Sequence, residues 1–316
     1  MKTVSGFCTI SRHAIAVTMV AVLAACGGGG GGGGGSPALI DLTAANRDSV
    51  ARAAASSVMS LGVSTSIPVL SGGSPVGMLW RTVTGTERER PLAVFNGTVA
   101  CDISGYATVT LNDLNGDAIF NVVGETATVV FNQCQDDAYE VMNGTAVITL
   151  TGVDSMRFDM AQLSQTAVNG RHAMTLDGSL NLVCVQLSPT SARCTSTARE
   201  PLRAVIHTHL FDDTVTAQAG FVEEATYDDA TGHTLSTLRG TVSSAAAGGA
   251  FSVATDVAIG KLAIDAYPHE GRLRISGERG TMLISPQSSA QAQVELDTDD
   301  DGSFESSESE DWDWLL

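Results

Sequence analysis

The sequence is poor in positive charge. Lys and Arg together number 17 against 35 Asp and Glu, which gives a formal net charge of −18 at pH 7. A surface of this sign repels the phosphates of nucleic acid and of anionic lipid, and it attracts divalent cations or basic partners. The composition therefore argues against a nucleic-acid-binding protein, and it leaves solubility or cation binding as the use of the acidic excess.

The sequence also lacks the motifs of common catalytic sites. No Ser stands in a Gly-flanked elbow with an acid and a His after it, and no CxxC pair offers zinc ligands. The glycine run Gly27–Gly35 lacks the Lys-Ser/Thr that a phosphate-binding loop needs. We therefore predict that the protein is not an enzyme.

The N-terminus carries one apolar run, "AIAVTMVAVLAA" from Ala14 to Ala25, after the basic residues Lys2 and Arg12. The run is too short for a permanent membrane-spanning helix, but its length suits the apolar region of a secretory signal. It ends in "LAAC", so that Cys26 follows two small residues. The order of charge, apolar run, small residues and Cys predicts export and processing at this point.

The segment "LAAC" resembles the lipobox of bacterial lipoproteins. The resemblance implies cleavage before Cys26, acylation of its thiol and new amino group, and membrane attachment without a transmembrane helix. Several acyl chains on one residue make a stable anchor. Gly27 follows the Cys, where lipoproteins retained in the inner membrane of Gram-negative bacteria carry Asp. The resemblance thus implies an outer-membrane lipoprotein that faces the periplasm or the cell surface.

The glycines after Cys26 read as a flexible tether, with a root-mean-square span of roughly 15–18 Å for nine residues. We divide the chain into a signal peptide, 1–25, an acylated Cys and tether, 26–37, and a single β-rich domain, 38–316. Loss of residues 1–25 removes two basic and no acidic residues, which leaves 15 basic against 35 acidic ones.

The remaining cysteines form an even set: Cys101, Cys134, Cys184 and Cys194. In an oxidising compartment such a set predicts two disulfides, for which three pairings are possible. The turn signal Ser188-Pro189 favours a hairpin closed by Cys184 and Cys194. Cys101 and Cys134 would then close a longer loop, which stabilises by about 3–4 kcal/mol in the loop-entropy model.

Hydrophobic periodicity predicts one helix followed by many strands. The segment "DLTAANRDSVARAAASSVMSLG" places Val50, Ala54, Val58 and Leu61 on one stripe, with Gly62 as a stop. We expect this helix to pack on the first sheet or to cap its open end. From Val76 onward the period becomes two, as in "YATVTLN" and "SAQAQVELD".

Turn signals recur between the predicted strands. Asn-Gly occurs at Asn96, Asn115, Asn143 and Asn169, and Asp177 begins an Asp-Gly pair. These dipeptides favour the turns of two-residue hairpins. We predict an all-β fold, an antiparallel meander of about fifteen strands that forms an open barrel or a sandwich, with one N-terminal helix.

The segment "DTDDDGSFESSE" has the ligand spacing of a calcium loop. Positions 1, 3, 5, 7, 9 and 12 of such a loop bind the ion, and a Gly at position 6 makes the sharp turn. The corresponding ligands are Asp297, Asp299, Asp301, Ser303 through its carbonyl, Glu305 and Glu308. Gly302 fills position 6. The segment resembles an EF-hand loop, which implies a calcium site and an inward-facing Phe304, although a strand enters it where an EF-hand has a helix.

Three weaker candidates remain. His207 and His209 lie two residues apart, so a strand would place them on one face with Val205 and Phe211, as the start of a zinc or copper site. The segment from Asp113 has an acid spacing close to a calcium loop, but an Asn-Gly turn explains it better. The terminal "EDWDWLL" either binds a glycan or partner through its Trp side chains or, as we prefer, docks them into the core.

Together these features predict a non-enzymatic envelope lipoprotein with a structural calcium site. It would bind an envelope protein partner or support envelope organisation. One alternative is a carrier that holds a lipid or other apolar ligand in a curved sheet. A second alternative is a metal-dependent hydrolase built around His207 and His209.

Overall fold

The computed structural model describes residues 37–60, 97–116, 120, 122–135, 140–152, 154–170, 172–188, 190–228, 230–262, 265 and 267–315. The expected lipobox at Cys26, the glycine tether, the helix stop at Leu61 and Gly62, and the turn at Asn96 lie outside these residues. Within the described part of the chain, no helix combines the length and apolar character needed to cross a bilayer.

The protein is all-β: the described residues form sixteen strands in one antiparallel sheet and two short helices. The helices are α1 (Arg47–Ser60) and α2 (Trp312–Leu315). The first eight strands are β1 (Gly97–Ala100), β2 (Ser104–Asn112), β3 (Thr126–Gln135), β4 (Glu140–Gly152), β5 (Ser155–Ala167), β6 (His172–Ser188), β7 (Ser191–Ala198) and β8 (Leu202–Thr208). The last eight are β9 (Asp212–Ala217), β10 (Val222–Asp228), β11 (His233–Ser244), β12 (Gly249–Leu262), β13 (Glu270–Ser276), β14 (Thr281–Pro286), β15 (Gln291–Asp297) and β16 (Ser306–Asp311).

The sheet is a meander with one excursion. Strands β1 to β7 pair in chain order, β7 pairs with β10, and β10 to β16 again pair in order. Strands β8 and β9 leave this path, because β8 pairs with β6 and β9 pairs with β11. The strands β6, β7, β10, β11, β9 and β8 therefore form a closed ring of hydrogen-bonded neighbours. The predicted all-β antiparallel fold is confirmed.

Glycines lie at the points where a strand of the ring changes from one pairing partner to another. Strand β6 pairs with β8 through His172–Asp177 and with β7 from Leu180 onward, and Gly178 lies between the two stretches. A Cβ on Gly178 would lie 2.9 Å from Leu202 Cα, at the start of β8. In β11 the corresponding position is Gly240, where a Cβ would lie 2.9 Å from Phe221 Cα. Only glycine allows these close backbone approaches.

Two of the predicted hairpin turns lie inside strands. Asn143 and Asp177 sit within β4 and β6, and each side chain accepts a backbone N–H from the preceding strand, at 2.8 Å from Gln133 and Gln162 respectively. Both glutamines have positive φ, 47° and 48°, and the ladder shifts register beside them. The dipeptides therefore mark β-bulges that bend the sheet, since a bulge increases local twist. Asn115 and Asn169 do lie in turns, between β2 and β3 and between β5 and β6.

Helix α1 begins where the sequence predicts a helix. Asn46 directly precedes the helix: its side-chain oxygen reaches back to accept the N–H of Thr43 at 2.9 Å, as the third residue of a capping box does, and its carbonyl accepts the N–H of Val50. The residues from Val50 onward include an alanine-rich stretch that is buried on every side, Ala51, Ala53, Ala54 and Ala55. Among the described residues, the helix packs mainly against β9, β11 and β14 of the sheet and against α2.

The two disulfides join the pairs that the sequence favours, Cys101–Cys134 and Cys184–Cys194. Cys184 and Cys194 lie directly opposite each other in the β6–β7 hairpin. The alternation predicted for "SAQAQVELD" also holds, because Ala292, Val294 and Leu296 are buried. Asp297 departs from that alternation, since it is only 4% exposed at the end of β15.

Candidate cation-binding sites

The predicted calcium segment forms the turn between β15 and β16. Asp297, Asp299, Asp301 and Glu305 each place one carboxylate oxygen within 4.8 Å of the others. Two carboxylates about 4 Å apart near a protein surface repel each other by about 4 kcal/mol. Such a cluster of oxygens therefore favours a bound cation, and oxygen ligands of this kind suit Ca²⁺.

Asp297 organises the loop from its buried position. Its Oδ1 accepts the N–H of Asp300 at 2.7 Å, and its Oδ2 accepts the N–H of Gly302 at 3.0 Å. Gly302 has a φ of 89°, which fits the sharp turn expected at this position. Further along, the Asp301 carboxylate accepts the N–H of Ser303 at 2.7 Å. Backbone N–H groups of the loop thus hold the carboxylates of Asp297 and Asp301 in place.

Asp300 fastens the loop to the neighbouring hairpin. Its two carboxylate oxygens accept the N–H of Gly280 at 2.8 Å and the hydroxyl of Thr281 at 3.0 Å. Asp300 is not part of the four-residue cluster. Glu305 closes the loop, since its Oε2 accepts the N–H of Thr298 at 2.6 Å.

Two residues lie differently from what an EF-hand loop would require. Glu308, expected as the last ligand, lies on β16 opposite Val294, and its carboxylate is 3.5 Å from Arg47 on α1. Strand β16 begins at Ser306, so the chain leaves the loop before it can bring Glu308 back. Phe304, expected to face inward, is 37% exposed. The observed loop therefore closes at Glu305, and Ser303 lies in it with its N–H bonded to Asp301.

The C-terminal tail docks on the core as a single helical turn. Trp312 is 3% exposed, and its indole N–H donates to the Ser288 carbonyl at 3.2 Å. The guanidinium of Arg52 lies 4.3 Å from the centre of the Trp314 ring. Tyr267 donates to Asp313 at 2.6 Å, and burial together with this bond raises the pKa of the Tyr267 hydroxyl. Both Trp side chains are thus engaged by the protein itself.

The histidine pair predicted as a metal site does not gather ligands. His207 lies next to the end of β8, with its Nδ1 2.9 Å from Oδ1 of Asp212, and its side chain is 61% exposed. His209 lies beyond the strand, in the turn, so the two imidazoles do not share a strand face. Among the described residues, neither belongs to a group of three metal-ligating side chains.

The segment from Asp113 behaves as a turn. The Asp113 carboxylate accepts the N–H of Asn115 at 3.1 Å and that of Gly116 at 2.7 Å. Glu125, the acid that arrives late in the motif, is fully buried and accepts the backbone N–H groups of Leu114 and Val122. Its carboxylate holds the connection between β2 and β3, which is longer than the expected Asn-Gly hairpin turn.

The structure also brings together a cluster that the sequence did not predict. His233, His269 and Glu270 each place one ligand atom within 4.8 Å of the others. The only sequence signal is the pair His269-Glu270, because His233 reaches them through strand pairing. Nearby, burial lowers the pKa of Lys261, and the negative charge of Asp265 opposes that shift.

No protein-family model, curated protein or solved structure matches the chain.

Proposed function

We propose that the protein is a lipid-anchored envelope β-domain, not an enzyme, with a structural calcium site in the β15–β16 loop. It presents a rigid, acidic domain outside the cytosol for a partner in the envelope. The cluster of Asp297, Asp299, Asp301 and Glu305 carries the calcium assignment, because its four ligand atoms are all carboxylate oxygens.

The position of the loop supports a structural role for the ion. The loop joins β15 to β16, and β16 leads directly into the docked turn of α2. Arg47 of α1 forms an ion pair with Glu310 of β16, with 3.1 Å between a guanidinium nitrogen and Oε1. Calcium would neutralise the repulsion in the loop and hold the last hairpin in register, so its removal would loosen the C-terminal end first.

The disulfides and the sequence before the domain support the envelope assignment. Two cysteine pairs lie at bonding distance, as is usual in proteins of oxidising compartments. The resemblance of the segment around Cys26 to a lipobox supports a lipid anchor at this residue. Metal binding in such a setting is expected in the weak range of extracellular calcium modules, about 10⁻⁴–10⁻³ M.

Calcium titration of the full chain tests the site. We expect one Ca²⁺ per chain by calorimetry after treatment with a chelator. The double variant Asp299→Asn/Glu305→Gln should lose this binding. The matched control is Asp300→Asn, which removes a charge from the same loop but from outside the cluster. Its amide oxygen can still accept the N–H of Gly280 and its amide nitrogen can donate to the Thr281 hydroxyl, so the loop stays fastened and should still bind calcium. Equal loss in the control and the double variant would show that loop charge, and not the cluster, attracts the ion.

Limited proteolysis tests the structural role. Calcium should slow cleavage between β15 and α2 in the wild-type chain and have no effect in Asp299→Asn/Glu305→Gln. Cleavage that is insensitive to calcium in the wild type would contradict a structural ion.

Mass spectrometry of the membrane fraction tests the anchor. The wild-type chain should begin at Cys26 and carry diacylglyceryl mass, whereas the Cys26→Ser chain should leave the membrane fraction. A Cys26→Ser chain that stays in the membranes would overturn the lipid anchor without touching the calcium assignment.

A further inference from the structure

The ends of three neighbouring strands bring two histidines and a glutamate together. His233 begins β11, and it pairs with Leu262 at the end of β12. Glu270 begins β13, and it pairs with Gly260 of β12. His269 directly precedes Glu270, and its N–H donates to the carbonyl of Gly260 at 3.0 Å. The strand ladder, not a local motif, fixes the separation of these side chains.

The three side chains are close enough to share one ion. His233 Nε2 lies 3.1 Å from Glu270 Oε1, and the two imidazole rings stack with centroids 5.9 Å apart. A tetrahedral zinc with bonds of about 2.0–2.2 Å holds its ligand atoms about 3.3–3.6 Å apart. One ligand atom from each residue lies within 4.8 Å of the others, so small side-chain rotations complete the set.

The nitrogen of His233 that faces Glu270 lacks a hydrogen-bond partner. Nε2 is buried, and although Glu270 Oε1 is near, the two atoms are not aligned for a hydrogen bond. A buried ring nitrogen without a partner costs free energy unless something else satisfies it. A metal ion between the imidazole and the carboxylate would do so.

Asp265 orients the second imidazole from behind. Its Oδ2 lies 2.6 Å from His269 Nδ1 and also accepts the backbone N–H of Leu262 at 3.1 Å. A carboxylate at Nδ1 favours the tautomer with its proton there, which leaves Nε2 as the metal-binding nitrogen. Carboxylate–histidine–metal arrangements of this kind are the usual outer shell of zinc sites.

Gly260 makes room for the glutamate. A Cβ on Gly260 would lie 2.3 Å from Glu270 Oε1 and 2.5 Å from its Cγ, so the carboxylate occupies the space that any other residue would fill. This places Glu270 over β12 and next to His233. The exposed half of Glu270, whose side chain is 51% accessible, keeps the cluster open to solvent.

We propose that His233, His269 and Glu270 form a binding site for a divalent transition metal, zinc in the first place, with Asp265 as its positioning residue. Two imidazoles and one carboxylate suit Zn²⁺, whereas the all-oxygen loop at β15–β16 suits Ca²⁺. Three protein ligands leave a fourth position for water. The site is independent of the calcium loop and of the lipid anchor.

Zinc titration of the full chain in saturating calcium tests the site, with ZnCl₂ as the probe. We expect one Zn²⁺ per chain, and a Co²⁺-loaded protein with the visible absorption of a low-coordinate nitrogen–oxygen site. His269→Ala and Glu270→Gln should each abolish that absorption. The His207→Ala/His209→Ala chain, which removes as many imidazoles from another place, should bind zinc like the wild type.

The proposal would be overturned by no zinc bound to the wild-type chain, by zinc retained in His269→Ala and Glu270→Gln, or by zinc lost in His207→Ala/His209→Ala. Zinc lost only in the loop variant Asp299→Asn/Glu305→Gln would assign the ion to the acidic loop and also overturn it. Glu270→Gln preserves side-chain size at a half-exposed position, and unchanged circular dichroism separates loss of metal from loss of fold.

Discussion

The acidic loop at 297–305 and the histidine cluster at the ends of β11 to β13 are built in opposite ways. In the loop, four carboxylates come from nine consecutive residues, and the backbone hydrogen bonds of Asp297 fold them together. In the cluster, His233 comes from one strand end, His269 and Glu270 come from another, and the strand between them supplies the space at Gly260. Local sequence makes the first site and strand register makes the second.

Each site should therefore respond to a different kind of change. A loop that folds on its own residues depends on the charge and number of its carboxylates. A cluster held by three strands depends on the positions of those strands and on the group that orients its imidazole. Substitutions at loop carboxylates should therefore change calcium binding alone, and substitutions around the histidine cluster should change zinc binding alone.

The largest effect is expected from removal of two loop ligands. Asp299→Asn/Glu305→Gln should weaken calcium binding by about 100-fold, about 1.4 kcal/mol for each factor of ten, because half of the clustered carboxylates lose their charge. Zinc affinity should not change. Calorimetry with each ion on the same protein measures both, and a parallel loss of zinc would show that the sites are one.

A smaller effect is expected from the positioning residue. Asp265→Asn should weaken zinc binding by about 10–100-fold, the usual cost of losing an outer-shell carboxylate, while calcium binding stays the same. Asp265→Glu, which keeps the charge, should recover part of the affinity. If Asp265→Asn binds zinc with the affinity of the wild type, Asp265 does not orient the His269 imidazole for metal binding.

The glycine beneath Glu270 provides a subtler test. Gly260→Ala should weaken zinc binding by about tenfold, about 1.4 kcal/mol, because the new Cβ displaces the carboxylate that now lies 2.3 Å from its position. Calcium affinity of the same variant is the internal control. If zinc binds to Gly260→Ala as it does to the wild type, Glu270 is not a ligand in the arrangement described.

The smallest effect is expected at Glu308. Glu308→Gln should leave calcium affinity within about twofold, since the observed loop closes at Glu305 and Glu308 lies beside Arg47. A full EF-hand loop, by contrast, depends on its twelfth residue. Calcium titration of Glu308→Gln and of the wild type decides whether the site ends at Glu305 or includes Glu308. A loss of calcium affinity of more than about tenfold would show that Glu308 is a ligand.

Much of the fold could be predicted because its signals are local. Alternation in "SAQAQVELD" predicts a strand with one buried face, and Ala292, Val294 and Leu296 are buried accordingly. The even cysteine set and the turn signal at Ser188 favour the pairing that the structure has. The alanine-rich segment after Asn46 forms the predicted helix.

The bends and the branch of the sheet could not be predicted in the same way. Asn143 and Asp177 precede glycines and read as turns, yet each receives a backbone N–H from a bulge in the adjacent strand. A glycine with positive φ serves a turn and a bulge equally well, so only the partner strand decides which one forms. The position of Glu308 on β16 could not be predicted for a related reason, because strand pairing with β15 decides that β16 begins at Ser306.

The same distinction governs the candidate sites. Asp297, Asp299, Asp301 and Glu305 were predicted from spacing, since all lie within one turn of chain. His233 could not be joined to His269 and Glu270 without the register of β11, β12 and β13. The pair His207 and His209, adjacent in sequence, gathers no third ligand in the described part of the chain.

The most direct test of two independent sites is native mass spectrometry of the intact chain equilibrated with calcium and zinc together. If the two sites are independent, the wild type should carry one ion of each kind, Asp299→Asn/Glu305→Gln should carry zinc alone, and His269→Ala should carry calcium alone. A single ion on the wild type, or loss of both ions from either variant, would contradict this independence.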